Sequence, residues 1–390
     1  MKLLLHSHYF APSVGGVESA VQSLADGISA YYGPDGEKID VTVVTNTPRG
    51  SYQDQPLNFR VVREPSFFQL SQLIRATDVV HIAGPALSPM SIAWALRKPF
   101  VIEHHGYQAI CPNGILLKEP ARSVCVGHFQ AGQYGECFRC LKSETSTLRS
   151  GLRLFSMFPR SWLSRAATLN LAISNYVRNR QRLPRTRVVY YGIEDPVPYP
   201  AGDEPLRRVT MAFVGRFVTE KGIPVLLQAV ALLKREGLDF EVRLIGDGPE
   251  RGNLENIIRR EELGDIVKVT GFLRGEEMVK ALSDVRVVII PSICEETAGL
   301  AAIEQMMRGR LVIASDIGGL GEVVGGAGLR CEPGNVDSLA NCMKSAILDR
   351  SLIDSLGMKA RNRAMQLFMR ARMIQEHATI YGSIFQNAHS

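Results

Sequence analysis

The chain has 390 residues, of which 45% are hydrophobic and 22% charged, and its formal net charge is +6. This composition excludes a globally disordered protein and supplies enough apolar side chains for the cores of two ordinary domains. No stretch approaches the ~18 consecutive apolar residues that span a bilayer. The three leucines before His6 are too few for the core of a secretory signal, so we expect a cytoplasmic protein.

The excess positive charge lies in one segment. Residues 1–195 carry 21 Lys and Arg against 14 Asp and Glu, whereas residues 196–390 carry 24 against 25. Residues 139–187 alone hold 11 basic side chains and a single acid, Glu144. A patch of this kind favours an anionic surface or partner.

Short apolar runs alternate with helical patterns along the chain, which predicts βαβ units and parallel sheets. The predicted strands of the first half are residues 2–7, 39–45, 79–82, 100–103, 169–173 and 187–190. Those of the second half are residues 209–214, 240–245, 267–270, 286–290 and 311–314. The fold class is therefore α/β, with two Rossmann-like, doubly wound domains facing a central cleft. We expect a first domain at 1–195, a proline-rich linker at 196–208, a second domain at 209–365, and a helix at 366–390 packing back on the first domain.

Two segments of the first domain carry candidate site residues. Gly15 and Gly16 follow the first strand and begin a helix, as expected of a βα turn. The sequence from Glu103 to Gly106 reads Glu-His-His-Gly and follows the fourth strand. A histidine in such a loop is either a structural residue or a functional one.

Four cysteines crowd into one loop-like segment of the first domain: Cys111, Cys125, Cys137 and Cys140. Cys137 and Cys140 have a Cys-x2-Cys spacing that is typical of zinc ligands, and the other two thiols would complete a tetrahedral site. His128 is a spare ligand. Because only one of the spacings is typical of zinc, four free thiols are the alternative to a structural zinc ion.

The basic segment contains an amphipathic stretch. Arg149, Arg153, Arg160 and Arg165 are interleaved there with Leu, Phe, Met and Trp side chains. Such an element can lie on anionic lipid headgroups. The alternative is a helix packed in the first domain with its arginines in water. Nucleic acid is not expected, since no nucleic-acid motif accompanies the charge.

In the second domain, two loops follow predicted strands and contain glycine. The first holds Gly215, Arg216 and Lys221, and the second holds Gly246 and Gly248. Glycine lets the backbone approach a phosphate, and the two cations can neutralise a diphosphate. Ordinary βα loops are the alternative.

The strongest pattern is a pair of glutamates, Glu296 and Glu304, separated by seven residues after an apolar strand. Between them, Gly299 permits a tight turn into a helix, and the free N–H groups at 298–300 form a natural phosphate site. One carboxylate can then meet a sugar while the other accepts bonds from ribose hydroxyls. Two solvated glutamates flanking a helix are the alternative.

Together these motifs resemble glycosyltransferase family 4, the large family of retaining enzymes with the two-domain GT-B architecture. The matching segments are GRFVTEKG, RLIGDGP, VTGFL, the glutamate pair and ASDIGG, in the family's order over about 209–325. The first domain matches more loosely.

The resemblance implies roles for individual residues. Arg216 and Lys221 would hold the donor diphosphate, Glu296 would contact the donor sugar, and Glu304 would contact the ribose. The remaining donor-site residues are Gly15, Gly16, Gly215, Gly246, Gly248, Ala298, Gly299 and Leu300. His105 aligns best with a histidine that reaches the sugar from the first domain, with His104 as the alternative. Ala298 stands where the family has an aromatic, and QMMRGRL follows Glu304 where small residues and Cys-Gly-Pro are usual, so the donor sugar is left open.

The expected activity is transfer of a sugar from a nucleoside-diphosphate donor, such as a UDP- or GDP-sugar, to a hydroxyl of a glycan or lipid-linked acceptor. The resemblance implies retention and a role in surface polysaccharide or glycolipid synthesis. No Asp-x-Asp occurs in the second domain, so no cofactor is expected for catalysis and zinc would be structural only. The charged stretch predicts peripheral contact with an anionic membrane. The alternatives are a sugar phosphorylase or sugar-phosphate synthase of the same fold, and a non-catalytic scaffold at a membrane.

Overall fold

The computed structural model describes residues 1–13, 15–32, 38–50, 54, 57–196 and 208–389. The chain divides into two compact units. The first comprises Met1–Ala121, Cys125–Glu194 and Phe368–Ser390, and the second comprises Arg122–Val124 and Asp195–Leu367. Most of the predicted linker, at 197–207, lies outside the described residues.

In chain order the strands are β1 Lys2–Ser7, β2 Asp40–Thr45, β3 Arg60–Arg63, β4 Val79–Ala83, β5 Phe100–His104, β6 Leu117–Lys118, β7 Ser123–Val124, β8 Leu169–Ala172, β9 Thr186–Val188, β10 Val209–Val214, β11 Phe240–Ile245, β12 Val267–Gly271, β13 Val287–Ile290, β14 Leu311–Ser315 and β15 Leu329–Cys331. The α-helices are α1 Gly16–Ala30, α2 Phe67–Arg75, α3 Leu87–Ala95, α4 Tyr134–Lys142, α5 Thr147–Ala166, α6 Asn175–Gln181, α7 Ile223–Arg235, α8 Arg251–Arg260, α9 Gly275–Ala281, α10 Leu300–Met307, α11 Gly318–Val324, α12 Val336–Leu348, α13 Arg350–Leu367 and α14 Arg370–His389. Each predicted strand is present within two residues of its predicted bounds. The sequence analysis missed the four short strands β3, β6, β7 and β15, of which β3 and β15 lie at sheet edges.

The first unit is built on a seven-stranded parallel sheet with the order β3-β2-β1-β4-β5-β8-β9. Side chains of β1 alternate between its two faces. Leu3 and Leu5 pack in one core, with Met373 and Tyr381 of α14, while Leu4 packs in a second core on the other face. Helix α14 is therefore part of this unit although it is the last element of the chain.

The second unit contains a six-stranded parallel sheet with the order β12-β11-β10-β13-β14-β15. Its core joins apolar side chains of α7 and α12 to those of the central strands, including Phe213, Leu244 and Ile289. The chain leaves β10 in one direction toward β11 and later returns to its other side at β13. This change of direction creates a switch point, where sheets of this kind bind ligands beyond the carboxyl ends of their strands.

Candidate active site

The loops that follow β10 and β13 meet at the switch point of the second unit. Gly222 has a φ of +65°, and a Cβ added there would lie 2.0 Å from the carbonyl oxygen of Pro291. The backbone N–H of Ile293 donates to the carbonyl of Glu220 at 2.9 Å. Only glycine at 222 lets the two loops touch in this way, and the contact brings Lys221 toward the segment that carries Glu296.

Lys221 and Glu296 form an ion pair. The ammonium Nζ lies 2.6 Å from Oε1 of the carboxylate, and the hydroxyl of Ser292 donates to the same oxygen at 2.6 Å. The Glu296 side chain is 13% exposed and that of Lys221 29%. Burial would raise the pKa of Glu296, but the charge and hydrogen bond of Lys221 and the bond from Ser292 lower it. Glu296 likewise raises the pKa of Lys221 against the effect of burial. Both groups are therefore charged at neutral pH.

The two donors leave half of the carboxylate available. Both occupy Oε1, and within the described part of the chain no donor contacts Oε2 of Glu296. A fixed, ionised oxygen of this kind can accept a hydrogen bond from a sugar hydroxyl. Ser292 was not singled out from the sequence, because a serine after a strand has no distinctive spacing.

The backbone of Glu296 is held by the loop after β14. Gly318 has a φ of +64°, and a Cβ there would come within 2.3 Å of the carbonyl oxygen of Glu296. The N–H of Gly319 donates to that carbonyl at 2.6 Å. The glycines of the ASDIGG segment thus fix the position of Glu296.

Helix α10 begins directly after Gly299, which has a φ of +64° and provides no side-chain cap. A Cβ at this position would meet the Leu320 side chain at 2.7 Å. Ala298 is buried and Leu300 is half-buried. Because the start of α10 has no side-chain cap, its free N–H groups carry partial positive charge. Glu304, in the second turn of α10, is exposed.

The other candidates of this unit divide into exposed and packed residues. Arg216 is exposed, and its side chain makes no hydrogen bond or ion pair within the described residues. Gly246 and Gly248 pack backbone on backbone, since added Cβ atoms would lie 1.9 Å from the oxygen of Gly215 and 2.4 Å from that of Phe217. The close approach of these loops is therefore enough to explain why positions 246 and 248 are glycine.

In the first unit, the glycine pair lies at the start of α1. Gly15 is the N-cap residue with an extended backbone, and Gly16 is the first helical residue. A Cβ at Gly15 would come within 2.4 Å of a carboxylate oxygen of Glu18. This oxygen is the end of a flexible side chain that lies beside the start of the helix, and the helix has no side-chain cap hydrogen bond at Gly15.

The imidazole rings of both histidines of the Glu-His-His-Gly segment are shielded from solvent, although His105 as a whole residue is only half-buried. Nε2 of His104 lies 2.8 Å from Oδ1 of Asn170, and burial lowers the pKa of His104 to about 4. The ring of His105 stacks on Tyr191, and its Nδ1 lies 2.5 Å from the tyrosine hydroxyl. Nε2 of His105 is 3.5 Å from Oε2 of Glu103. Both ring nitrogens of His105 thus face protein groups.

Glu103 is the centre of a buried cluster that the sequence analysis did not predict. Its carboxylate also faces Nε2 of His81 at 3.2 Å and Nε2 of His377 at 3.6 Å. Burial alone would raise the pKa of Glu103, but the three histidines hold it well below its usual range. The only signal in the sequence is an acid within an otherwise apolar strand, and its partners lie far away in the chain.

The four predicted zinc ligands line one small cavity of about 20 Å³ together with His128 and Glu136. Backbone N–H groups of Gly127 and Glu119 donate to the sulfur atoms of Cys125 and Cys140 at 3.4 and 3.3 Å. Burial, with the neighbouring thiols, raises the pKa of Cys137 to about 12. All four cysteines are free thiols in the structure, and no three of their sulfur atoms lie within 4.8 Å of one another.

Helix α5 presents apolar side chains to solvent. Leu152, Phe155 and Trp162 are 62%, 72% and 52% exposed, and Leu148 precedes them on the same face. Arg149, Arg153 and Arg165 are exposed as well, whereas Arg160 is half-buried. Because Met157 and Leu163 of the same helix are buried, α5 packs in the first unit with most of its arginines in water and also presents apolar side chains to solvent. None of the described helices is both long and apolar enough to cross a bilayer.

A family model described as "Glycosyl transferases group 1" matches residues 201–363. The 2-deoxystreptamine glucosyltransferase of Streptomyces kanamyceticus is 38% identical over 141 residues, which are 36% of each chain. The C-terminal region of this chain is therefore similar to the group 1 glycosyltransferases. Aligned segments cover 36% to 52% of the length of the first three curated relatives.

Solved structures of glycosyltransferases share the whole fold. Sucrose-phosphate synthase from Thermosynechococcus elongatus has a TM-score of 0.74 and 21% identity, with 99% of each chain covered. HepE of Anabaena in complex with UDP-glucose has a TM-score of 0.72 and 19% identity, with 98% of this chain and 100% of that chain covered. The fold of this chain is therefore GT-B, as predicted.

Proposed function

We propose that this glycosyltransferase transfers a sugar, with retention of anomeric configuration, from a nucleoside diphosphate to a hydroxyl of an acceptor. The observation that carries the proposal is the Lys221–Glu296 pair at the switch point of the second unit, 2.6 Å across. It combines a cation for the diphosphate with a carboxylate whose second oxygen is available to the sugar. Retention follows from the family resemblance alone.

The chemistry is stabilisation of a departing diphosphate. As the bond between the anomeric carbon and the phosphate oxygen breaks, negative charge grows on the leaving group. Lys221, the unpaired Arg216 and the uncapped start of α10 would stabilise that charge. Oε2 of Glu296 would orient the sugar, and exposed Glu304 would accept bonds from the ribose. We propose no metal ion in this step, because Asp-x-Asp is absent from the second domain's sequence.

His105 takes a different place in the proposal. Its two ring nitrogens already face Tyr191 and Glu103, so its imidazole is held inside the first unit. We propose that it shapes the loop after β5 and meets a ligand only through its main chain.

A uridine nucleotide is the first donor to test. Support comes from HepE of Anabaena, which has the same fold and is solved with UDP-glucose. In a thermal-shift panel of UDP- and GDP-sugars, one donor should raise the melting temperature. At a donor concentration of 100 times its Kd, the free energy of unfolding would rise by about 2.7 kcal/mol. The shift should vanish in Lys221→Ala and persist in Lys234→Ala, which removes a surface lysine paired with Asp265. No shift with any donor at millimolar concentration would overturn the proposal.

The acceptor is the finer question. We propose a lipid-linked or glycan acceptor at an anionic membrane surface, supported by the exposed apolar and basic face of α5. Each arginine near an anionic leaflet contributes about 1 kcal/mol, and inserted aromatic side chains add to this. Turnover with a sugar phosphate or inorganic phosphate as the preferred acceptor would instead assign a synthase or phosphorylase of the same fold. Absence of any donor hydrolysis would favour the scaffold.

Vesicle flotation tests the membrane part separately. The protein should bind vesicles that contain anionic lipid, bind neutral vesicles poorly, and dissociate at high salt because screening weakens exposed charges. Reversal of the exposed Arg149, Arg153 and Arg165 to Glu should abolish binding and spare hydrolysis of free donor. The matched control is a second-unit variant with three arginines changed to Glu, at Arg235, Arg259 and Arg260. Equal binding to neutral vesicles would argue for a water-soluble acceptor.

We also propose that the four-cysteine cavity holds a structural zinc ion, after rotation of the thiols toward one another. Two thiols sit on one face of α4 at positions 137 and 140, and two backbone N–H groups already point at sulfur, as is favourable for thiolates. Purified protein should contain about one zinc bound by sulfur at about 2.3 Å in X-ray absorption. This signal should disappear in the double variant Cys137→Ser, Cys140→Ser and persist in Cys342→Ser. A folded, active protein without sulfur-bound zinc would dispose of the site.

A further inference from the structure

The carboxylate of Glu103 lies in the interior of the first unit among three imidazoles. Glu103 belongs to β5, His81 to the adjacent strand β4, and His377 to helix α14. The side chains of His81 and His377 are fully buried and that of Glu103 is 5% exposed. Within the described residues no lysine or arginine pairs with this carboxylate, so an ionised group is buried without a permanent cation.

In His81 and His377, a hydrogen bond at Nδ1 fixes the ring so that Nε2 faces the carboxylate of Glu103. Nδ1 of His377 lies 2.8 Å from the carbonyl oxygen of Met373. Since a carbonyl can only accept, Nδ1 of His377 carries a proton, which leaves Nε2 as the ring nitrogen that faces Glu103 and could bind a metal ion. Nδ1 of His81 is likewise held, 2.8 Å from the hydroxyl of Tyr381. Anchoring of one ring nitrogen by a backbone or side-chain group is typical of histidines that bind metal through the other.

The nitrogens that face Glu103 do not complete hydrogen bonds. Nε2 of His81 and Nε2 of His377 are buried and have no hydrogen-bond partner within the described residues. Their distances to the carboxylate oxygens, 3.2 and 3.6 Å, bracket the edge of about 3.4 Å in a tetrahedron with bonds of about 2.1 Å. The three ligand atoms all lie within 4.8 Å of one another.

We propose that His81, Glu103 and His377 bind one divalent first-row metal ion, which fastens helix α14 to strands β4 and β5. Two imidazoles and one carboxylate are a donor set for zinc and for ferrous iron. The ion would supply the positive charge that the buried carboxylate lacks. It would also link residue 377 to strands almost 300 positions earlier, which stabilises the first unit independently of donor binding.

The surrounding groups fit the role of an outer shell. His105 lies 3.5 Å from the oxygen of Glu103 that also faces His81, and Tyr191 holds its other nitrogen. Tyr381 packs edge-on against His81 while its hydroxyl holds that ring. These groups orient the carboxylate and one imidazole ligand, as second-shell partners do in metal sites.

The decisive measurement is metal content in the background of Cys137→Ser and Cys140→Ser, which removes the cysteine cavity as a source of bound zinc. Mass spectrometry of this protein, purified and dialysed against metal-free buffer, should find about one zinc or iron per chain. X-ray absorption should show nitrogen and oxygen neighbours at about 2.0 to 2.1 Å and no sulfur. Adding His377→Gln should lower the metal to near zero and lower the melting temperature. His104→Gln, which removes a buried histidine of the same strand, should keep the metal.

If the Cys137→Ser, Cys140→Ser protein is folded and contains no metal, the proposal is overturned, whether or not the His377→Gln and His104→Gln variants fold. In that case nitrogen NMR of histidine should find His377 protonated on both nitrogens, as an ion-pair partner of Glu103. Full metal content in a folded His377→Gln protein overturns it as well. Since none of these results concerns the second unit, the donor-binding panel remains an independent test of the proposed function.

Discussion

Each unit of the chain contains a functionally interesting carboxylate with little exposure, and the two are stabilised differently. Glu296 follows β13 in a loop and has a permanent cation, Lys221, on one of its oxygens. Glu103 lies inside β5 and faces imidazoles from two other elements. Glu296, at the end of a strand, keeps one oxygen for a ligand, whereas both oxygens of Glu103, inside a strand, face histidines of the same unit. The position along the strand therefore separates a binding role from a structural one.

Removal of the fixed cation should have the largest effect. In Lys221→Ala, Glu296 loses its partner and the leaving diphosphate loses a charge, so turnover should fall roughly 100-fold or more. The turnover of Arg216→Ala should fall by a similar factor. Glu296 should stay in place in this variant, because the side chain of Arg216 has no partner among the described residues. The measurement is kcat with the donor identified by thermal shift.

Lys234→Ala is the matched control for both substitutions, and its kcat should change by less than about twofold. If Lys221→Ala retained full turnover, the ion pair would be a structural feature like that around Glu103, and the contrast between the units would disappear.

Glu304 offers an exposed carboxylate with no ion-pair partner among the described residues, and desolvation by neighbouring protein atoms raises its pKa against the charge of Arg308. Glu304→Gln keeps the shape of the side chain but weakens its bonds to ribose hydroxyls, and donor KM should rise about 10-fold while kcat changes little. Glu277→Gln, at an exposed position of α9, is the control. Calorimetry that finds unchanged donor affinity in Glu304→Gln would remove this residue from the site.

The sequence predicted the alternation of strands and helices because buried parallel strands are apolar runs with clear ends, as at Val209–Val214 and Phe240–Ile245. It did not predict β3, whose RVVR sequence is only four residues long. Lys221 and Glu296 were both candidates, but their contact was not predictable, since it depends on Gly222 touching Pro291 across two loops. The Glu103 cluster was missed because its histidines lie at 81 and 377, with no spacing to connect them.

The smallest expected effect is that of a substitution at Ser292. It tests whether Oε1 of Glu296 needs both of its donors or whether the ion pair with Lys221 is sufficient. Its hydroxyl donates to Oε1 of Glu296 at 2.6 Å, the same oxygen that Lys221 contacts at 2.6 Å. Ser292→Ala removes one hydrogen bond to a charged group while the lysine keeps the carboxylate ionised, so the loss should be about 1 to 2 kcal/mol. We expect kcat/KM to fall about 5- to 30-fold, with Ser283→Ala, an exposed serine of the same unit, unchanged. The carboxylate would then be free to rotate about Lys221 and would present Oε2 to the sugar less often. A fall as large as that of Lys221→Ala would instead assign the hydroxyl a direct contact with the substrate.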